Sequence, residues 1–374
     1  MSLSTSSLPF EVKPRRNSLT SKLKKGIAGI VIVTLLLSAE IILLSIQPSH
    51  RAALSHKDIE PRVTSTVSLL AFGDINLGRK VGQRIIKDDV HFPFRRYSIR
   101  DDSADIVFAN LECQISDQKG ETGHPEYNLI FTAPPEAVTT LQQSGITILS
   151  TANNHAVDYG ISALVETIDR LNEANILFVG TSKVKEKLHE PLIYEKNNIK
   201  FAIFGVTAFV NMTFKNWKDY VATPDTVILF EKIKAVRDSV DVVVMSFHGG
   251  AEYTNAPAGK TNQFAEWSLR NGVDIFLGHH PHVTFGIQQR GDGFIVHSLG
   301  NFIFYQPQHY WTQRSYGIRF QIAKNDSGTN IRLDRIIPVN VSMQTRRLTD
   351  STEVQKLKQR TQQLSNIDLQ KYWN

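Results

Sequence analysis

Three imidazoles stand within four residues at Gly278-His279-His280-Pro281-His282. They follow an apolar run, Val273-Asp274-Ile275-Phe276-Leu277, which reads as a short buried strand. A strand that ends in clustered His side chains offers a metal neutral nitrogen ligands on a rigid support. Pro281 stiffens the turn, because it lacks a backbone donor and fixes its own φ. His280 and His282 are two apart, so an extended backbone would put both on one face. Four other apolar runs end in the same manner. The run 67–72 leads to Gly73-Asp74, 105–109 to Asn110-Leu111-Glu112, 146–151 to Asn153-Asn154-His155, and 240–247 to His248-Gly249-Gly250. Any one of these has a commonplace use, since Asp after a strand caps helices and Asn makes turns. Five in one chain point to a shared crevice at the carboxyl ends of sheet strands. Asp74, Glu112, Asn154, His248, His280 and His282 are therefore expected in one small site. Two carboxylates, an amide and three imidazoles suit zinc, manganese or iron better than magnesium or calcium. They are enough for one or two divalent ions, which stand about 3.5–4 Å apart in two-metal hydrolytic centres.

The elements that must position these residues alternate between strand and helix. Helices with apolar residues three or four apart are predicted over 135–143, 161–172, 226–239 and 261–270. Strand–helix alternation argues for an α/β fold with near-parallel strands. After Gly293, strands are expected over 294–297, 302–305, 317–323 and 331–338 with no helix between them, which suggests an antiparallel second sheet. A terminal helix is expected over 350–366, with Val354, Leu357 and Leu364 on one side. Asp158 is expected to cap a helix starting near Gly160, an effect of about 1 kcal/mol.

The chain has 374 residues, 41% apolar and 21% charged, a balance that folds into one large α/β body with appendages. Its net charge of +6 is unevenly spread. Residues 1–62 carry nine Lys/Arg against four Asp/Glu and residues 344–374 six against three, which leaves the body, 63–343, at −2. A slightly acidic body speaks against nucleic acid as a partner. The single cysteine, Cys113, rules out an intrachain disulfide and a Cys-based zinc site, and reads as a small buried apolar residue. Residues 1–25 form a basic, polar tail. Residues 26–46 are apolar apart from Thr34, Ser38, Glu40 and Ser45, and are long enough to cross a bilayer as one helix. A cleaved signal peptide is the rival reading; no small-x-small cleavage site follows and no cysteine stands by to take a lipid, which favours an uncleaved anchor. Six Lys/Arg precede it and three follow closely, which places the N-terminus in the cytoplasm and the rest outside the cell membrane. Residues 47–65 read as a tether, 66–343 as the main domain and 344–374 as a helical tail.

The motifs then carry a resemblance. Gly73-Asp74, Asn154-His155, His248 and Gly278 to His282 follow the order of the calcineurin-like metallophosphatases. In detail, GDINLGR at 73–79, NLEC at 110–113, ANNHAVDYG at 152–160, HGGAEY at 248–253, GHHPHV at 278–283 and HSLGNFIF at 297–304 resemble the CapA-type poly-γ-glutamate capsule-synthesis proteins. The resemblance covers about 70–304. It implies a four-layer αββα sandwich of the metallo-dependent phosphatase type, here preceded by one transmembrane helix. It implies metal ligation by Asp74, Glu112, Asn154, His248, His280 and His282, with Glu112 where the phosphatases use a bridging Asp. His155 matches the residue that contacts phosphate and acts as general acid. Asn76 stands where the phosphatase pattern has a His. By the same resemblance the protein works on an anionic polymer with membrane-bound synthase or export subunits. Two other readings stand beside it: a free-standing metal-dependent hydrolase of phosphoesters or γ-glutamyl amides, and a binding subunit whose metal site is degenerate.

Overall fold

The computed structural model describes residues 63–373, so the predicted basic tail, the 26–46 span and most of the tether lie outside the described residues. Within them no helix is long and apolar enough to cross a membrane.

Valine, isoleucine, phenylalanine and leucine dominate the strand sequences, and β-branched and aromatic side chains pack well on a pleated surface. In chain order the strands are β1 (Val63–Ile75), β2 (Ile106–Leu111), β3 (Gln114–Ile115), β4 (Thr132–Ala133), β5 (Ile148–Ser150), β6 (Leu177–Val179), β7 (Leu192–Lys196) and β8 (Ile199–Thr207). They continue as β9 (Val242–His248), β10 (Ile275–His279), β11 (Ile287–Arg290), β12 (Gly293–Val296), β13 (Asn301–Ile303), β14 (Arg314–Asn325), β15 (Gly328–Asn340) and β16 (Arg346–Arg347). The α-helices are α1 (Arg79–Lys87), α2 (Ala137–Ser144), α3 (Gly160–Glu173), α4 (Thr226–Arg237), α5 (Gly259–Arg270) and α6 (Ser351–Gln363).

Apart from the short β3–β4 pair, the strands form two mixed sheets. The first runs β16-β15-β14-β1-β2-β5-β6, with β13 also paired to β1. The second runs β11-β12-β10-β9-β8-β7. In the first, β1, β2, β5 and β6 are parallel; in the second, β8, β9, β10 and β12 are. Alternation along β1 shows how the layers stack. Val67, Leu69 and Ala71 pack with Ile203, Val244 and Leu277 of the second sheet. Leu70 and Phe72 point the other way, into a cluster that holds Val81 of α1 and Leu141 of α2. On the far side of the second sheet, Phe204 and Met245 pack with Leu229 of α4 and Ala265 of α5. Sheet therefore faces sheet across an apolar core, and helices cover both outer faces. Phe72 shows the energetic scale: fully buried and stacked on Phe302 at 3.9 Å, its loss to Ala would cost about 3–5 kcal/mol.

The expected antiparallel second sheet does not form. β14 extends the first sheet antiparallel to β1 and β15 pairs antiparallel with β14, β13 pairs with β1 in parallel, and β12 joins the second sheet beside β10. An apolar strand alone does not say which edge it joins; that is settled by the partner edges left open. Helix α1 and strands β7 and β8 were not expected. In α1 the buried positions are Val81, Gly82 and Ile85, too few apolar side chains to stand out among Arg and Lys. The C-terminal helix α6 starts one residue after Asp350, whose carboxylate accepts from the Glu353 N–H at 3.0 Å, a regular N-cap. Leu357 is fully buried against the body while Val354 and Leu364 are half-buried.

Two glycines bring the site strands close to their neighbours. A Cβ on Gly73 would lie 1.8 Å from the Gly300 carbonyl oxygen, and one on Gly278 would lie 2.0 Å from that of His297. Asp74 and His279 follow them, so in each sheet a close backbone approach stands directly before a polar strand end.

Candidate metal centre

The carboxyl ends of the parallel strands in the two sheets meet, and the six expected residues meet there with them. Asp74 is the twelfth residue of β1 and lies opposite Asn110 of β2 and Asn301 of β13 in register. Glu112 follows β2, Asn154 follows β5, His248 ends β9, and His280 and His282 follow β10. All six are buried, with Asp74, Glu112 and His248 fully so.

Glu112 is the middle of the arrangement. Nitrogens of His155, His248 and His282 lie 3.8, 3.9 and 3.8 Å from its Oε1. Two groups of donors each gather within 4.8 Å: Glu112, His248 and His280 form one, and Asp74, Glu112 and His282 the other. The shared member is the carboxylate. His248 Nε2 stands 2.8 Å from Asn154 Oδ1, which puts the amide at the edge of the first group. Each group mixes oxygen and imidazole nitrogen and could hold a divalent ion.

The residues fit such an ion on electrostatic grounds. Both Glu112 oxygens are buried and neither accepts a hydrogen bond, nor does His280 Nδ1 have a partner. A buried carboxylate without a donor is costly, and proteins rarely leave one so. Burial, and after it the charge of Asp74, push Glu112 well above the usual carboxylate range. Burial also pushes Asp74 up, but the hydrogen bond and charge of His279, with His248 and His282, outweigh it and hold Asp74 below that range. Burial, then neighbouring imidazoles, lower His248 far below its ordinary value and His280 to about 3; burial lowers His282 as well. The imidazoles are thus neutral near pH 7, the form that ligates metals. A shared divalent cation would supply the positive charge that two adjacent carboxylates require.

His280 and His282 do not reach the centre from an extended backbone. Their φ angles are +97° and +59°, left-handed conformations that non-glycine residues seldom adopt and that cost of order 1–3 kcal/mol each. The His280 N–H donates to Asp74 Oδ2 at 3.1 Å, one of the contacts that hold this turn. His279, not expected in a role of its own, is fully buried with Nδ1 3.2 Å from Asp74 Oδ1.

Asp158 corrects the expectation of a helix cap. Tyr159, with no side-chain cap bond, precedes α3. Asp158 Oδ2 instead accepts from His155 Nδ1 at 2.7 Å and from the Phe131 N–H at 3.1 Å. That pair fixes the proton-bearing nitrogen of His155 and turns Nε2 toward Glu112. Asn301 does the same for His282, whose Nδ1 donates to Asn301 Oδ1 at 2.9 Å; Asn301 Nδ2 in turn donates to Gln306. Asn301 lies in the HSLGNFIF stretch, so its motif flagged it without revealing its partner. Asn211 is the residue for which the sequence held no signal. It accepts from Asn154 Nδ2 at 3.2 Å and sits 3.4 Å from both nitrogens of His155. Asn76 is in neither donor group, and its Oδ1 accepts from the Gly78 N–H at 2.8 Å in its own turn.

Several known proteins are similar to this chain. The chain is 30% identical to the PGA biosynthesis protein CapA of Bacillus subtilis (strain 168) over 261 residues, 68% of each chain. It is 29% identical to the capsule biosynthesis protein CapA of Bacillus anthracis over 329 residues, 86% of this chain and 78% of that one. Among solved structures, a Staphylococcus aureus protein assigned as a 5′-nucleotidase, in complex with α-ketoglutarate, overlaps with a TM-score of 0.45 at 11% identity; the match covers 79% of this chain and 58% of that one. The profile of the bacterial capsule synthesis protein PGA_cap matches residues 68–306, the stretch that contains both sheets' site-bearing strands and every donor described above, and the chain belongs to that family.

Proposed function

We propose that the protein is a membrane-anchored, outward-facing capsule-synthesis protein that acts in the synthesis or export of poly-γ-glutamate or a related anionic polymer through its metal centre. The observation that carries the reading is Glu112, one buried carboxylate common to two groups that could each hold a metal ion, in a chain of the capsule-synthesis family. Asp74, Glu112 and His282 would hold one ion and Glu112, Asn154, His248 and His280 the other, with manganese, iron or zinc as the metal. The ions supply charge neutralisation and Lewis acidity when bound. The chain's own residues do the rest. His155 presents Nε2 to the centre, and Asp158 keeps it there, so a proton can pass between His155 and a bound anion. The strand ends exclude water from the carboxylates and aim the imidazoles. Residues 26–46 would tether this domain outside the membrane, beside a membrane-bound polymer synthase or export subunits.

A second reading, a free-standing metal-dependent hydrolase of phosphoesters or γ-glutamyl amides, is favoured by the His155–Asp158 pair, which a purely binding site would not need. The deciding experiment introduces Glu112→Gln into the chromosomal gene and follows secreted polymer, with metal content and turnover measured on the purified full chain. Loss of polymer together with metal supports the proposal. Normal polymer without metal sinks it and leaves a binding subunit with a degenerate site. Turnover by the wild type in cells that make no such polymer favours the hydrolase. For orientation, protease added to intact cells or spheroplasts should cut the domain; full protection would overturn the outward placement.

A further inference from the structure

A polar cavity of about 390 Å³ opens beside the metal centre, with Asn76, Arg79, Tyr253, Phe304 and Gln306 in its wall. Tyr253 stacks over His282 at 5.9 Å, and Phe304 meets the same imidazole edge-on at 4.8 Å. The inner wall of this cavity is therefore the outer wall of the metal centre. A second depression of about 660 Å³ continues outward along α1, and Arg79, Lys80 and Asn128 line both. Lys80, Arg84 and Lys87 are four and three residues apart, which puts them on one face of the helix at intervals of about 4.5–6 Å along its axis.

The charges along this path are unbalanced. Arg84 is paired with Asp88. Arg79 donates to Asn128 and lies over Phe131, and Lys80 lies over the Tyr305 ring at 4.9 Å. Among the described residues Arg79, Lys80 and Lys87 form no ion pair with a carboxylate. The one acid in the groove wall, Glu121, already accepts from the Tyr159 hydroxyl. Since the body as a whole carries −2, the cationic stripe is a local feature and not a general excess. Arg79 also holds a left-handed φ of +49°. Its N–H donates to the Thr122 carbonyl at 2.6 Å and its carbonyl accepts from Thr122 Oγ1 at 2.8 Å. Strain held by such bonds, at the junction of cavity and groove, places a half-buried guanidinium where an anion leaving the metal centre would pass.

We infer that this groove is a binding site for an extended chain of repeating carboxylates, engaged by Arg79, Lys80 and Lys87, with one end of the chain at the metal centre. The inference rests on the reading of that centre as one that handles an anionic polymer. Carboxylates on an amide-linked chain fit better than polyphosphate, because the side-chain amides of Asn76 and Asn128 line the path beside the cations and can pair with the chain's linking amides.

The test uses the purified full chain in detergent, loaded with manganese, and fluorescent γ-linked oligoglutamates from the dimer upward. Wild type should bind more tightly as the chain lengthens until the groove is filled. Lys80→Ala combined with Lys87→Ala should lose roughly five- to tenfold in affinity for the longest chains and less for the dimer, with metal content unchanged. Lys87→Glu alone should weaken long chains more than short ones, and added salt should shrink the gain with length. Affinity that does not depend on length, or that survives both lysine changes, would overturn the groove. So would polyphosphate binding as tightly as oligoglutamate of matched charge. The two proposals fail separately. Length-dependent binding that persists without metal or polymer phenotype keeps the groove and removes the proposed function. Intact metal and polymer with length-independent binding does the reverse.

Discussion

The first sheet brings the oxygen donors to the candidate metal centre and the second brings the nitrogen donors. From β1 and the turns after β2 and β5 come Asp74, Glu112 and Asn154; from β9 and the turn after β10 come His248, His280 and His282. Alone, the two sets would favour different metals. The oxygen set is a hard, negative site that suits magnesium or calcium, whereas three imidazoles suit zinc and leave its charge unbalanced. Each donor group draws on both sheets, with Glu112 in both. The centre therefore exists only once the sheets have packed, and the packing is done by Leu69, Phe108, Ile203 and Val244, which are apolar and need no ion. That is the reverse of a small zinc domain, where the ion supplies the folding energy.

The largest expected effect comes from removing the member common to both groups. Glu112→Gln should reduce bound metal to a tenth or less of the wild-type amount, read by elemental analysis. In chelator, however, the variant should be about as stable as wild type to denaturant, because burial already drives the metal-free Glu112 carboxyl toward its neutral form, which Gln resembles in size and polarity. A variant that unfolds would show that the oxygen side is structural.

Next comes the nitrogen side. His282→Ala should weaken metal binding by about 100-fold or more while circular dichroism stays native, since ligand loss exceeds the 10–100-fold typical of supporting residues. Loss of the native spectrum would erase the distinction between packing and ligation. Asn301→Ala tests the support itself and should cost about 10–100-fold in affinity, because His282 loses the acceptor that orients its ring.

Asp158→Asn should leave metal content near normal, although Asp158 sits in the same crevice. It should instead lower any turnover and alter its pH profile through His155. Metal loss equal to that of His282→Ala would place Asp158 among the ligands and break the division of labour.

The smallest effect is expected far from the centre. Glu353 of α6 is lowered to about 2 by the Tyr310 hydroxyl, then Lys356 and Arg314. Its folded-state value is depressed, so its contribution to stability is present above about 4.5 and is lost as pH falls through about 2. The melting-temperature gap between wild type and Glu353→Gln should be small at neutral pH and close over that window, with no change in bound metal. A gap that widened in acid would refute the sign.

The sequence by itself determined that five apolar strands end in polar, metal-binding residue types, because strand propensity and side-chain chemistry are both local. From that, the meeting of Asp74, Glu112, Asn154, His248, His280 and His282 followed, since parallel strands deliver their carboxyl ends to one edge. Only the tertiary structure decided the rest. A lone Asp before a glycine-led helix looks like a cap, and whether Asp158 bonds that helix or His155 depends on which donors the folded chain brings near. Extended alternation was the local reading of His280 and His282, but Asp74, about 200 residues away, accepts from the His280 N–H in a left-handed turn. The strands after Gly293 carried no mark of which sheet they would join, because β pairing is between edges and an edge exists only after the rest has folded. Asn211 belongs to no motif at all. Its place between Asn154 and His155 rests on two hydrogen-bonding groups more than 50 residues away in sequence, and no window along the chain contains them as neighbours.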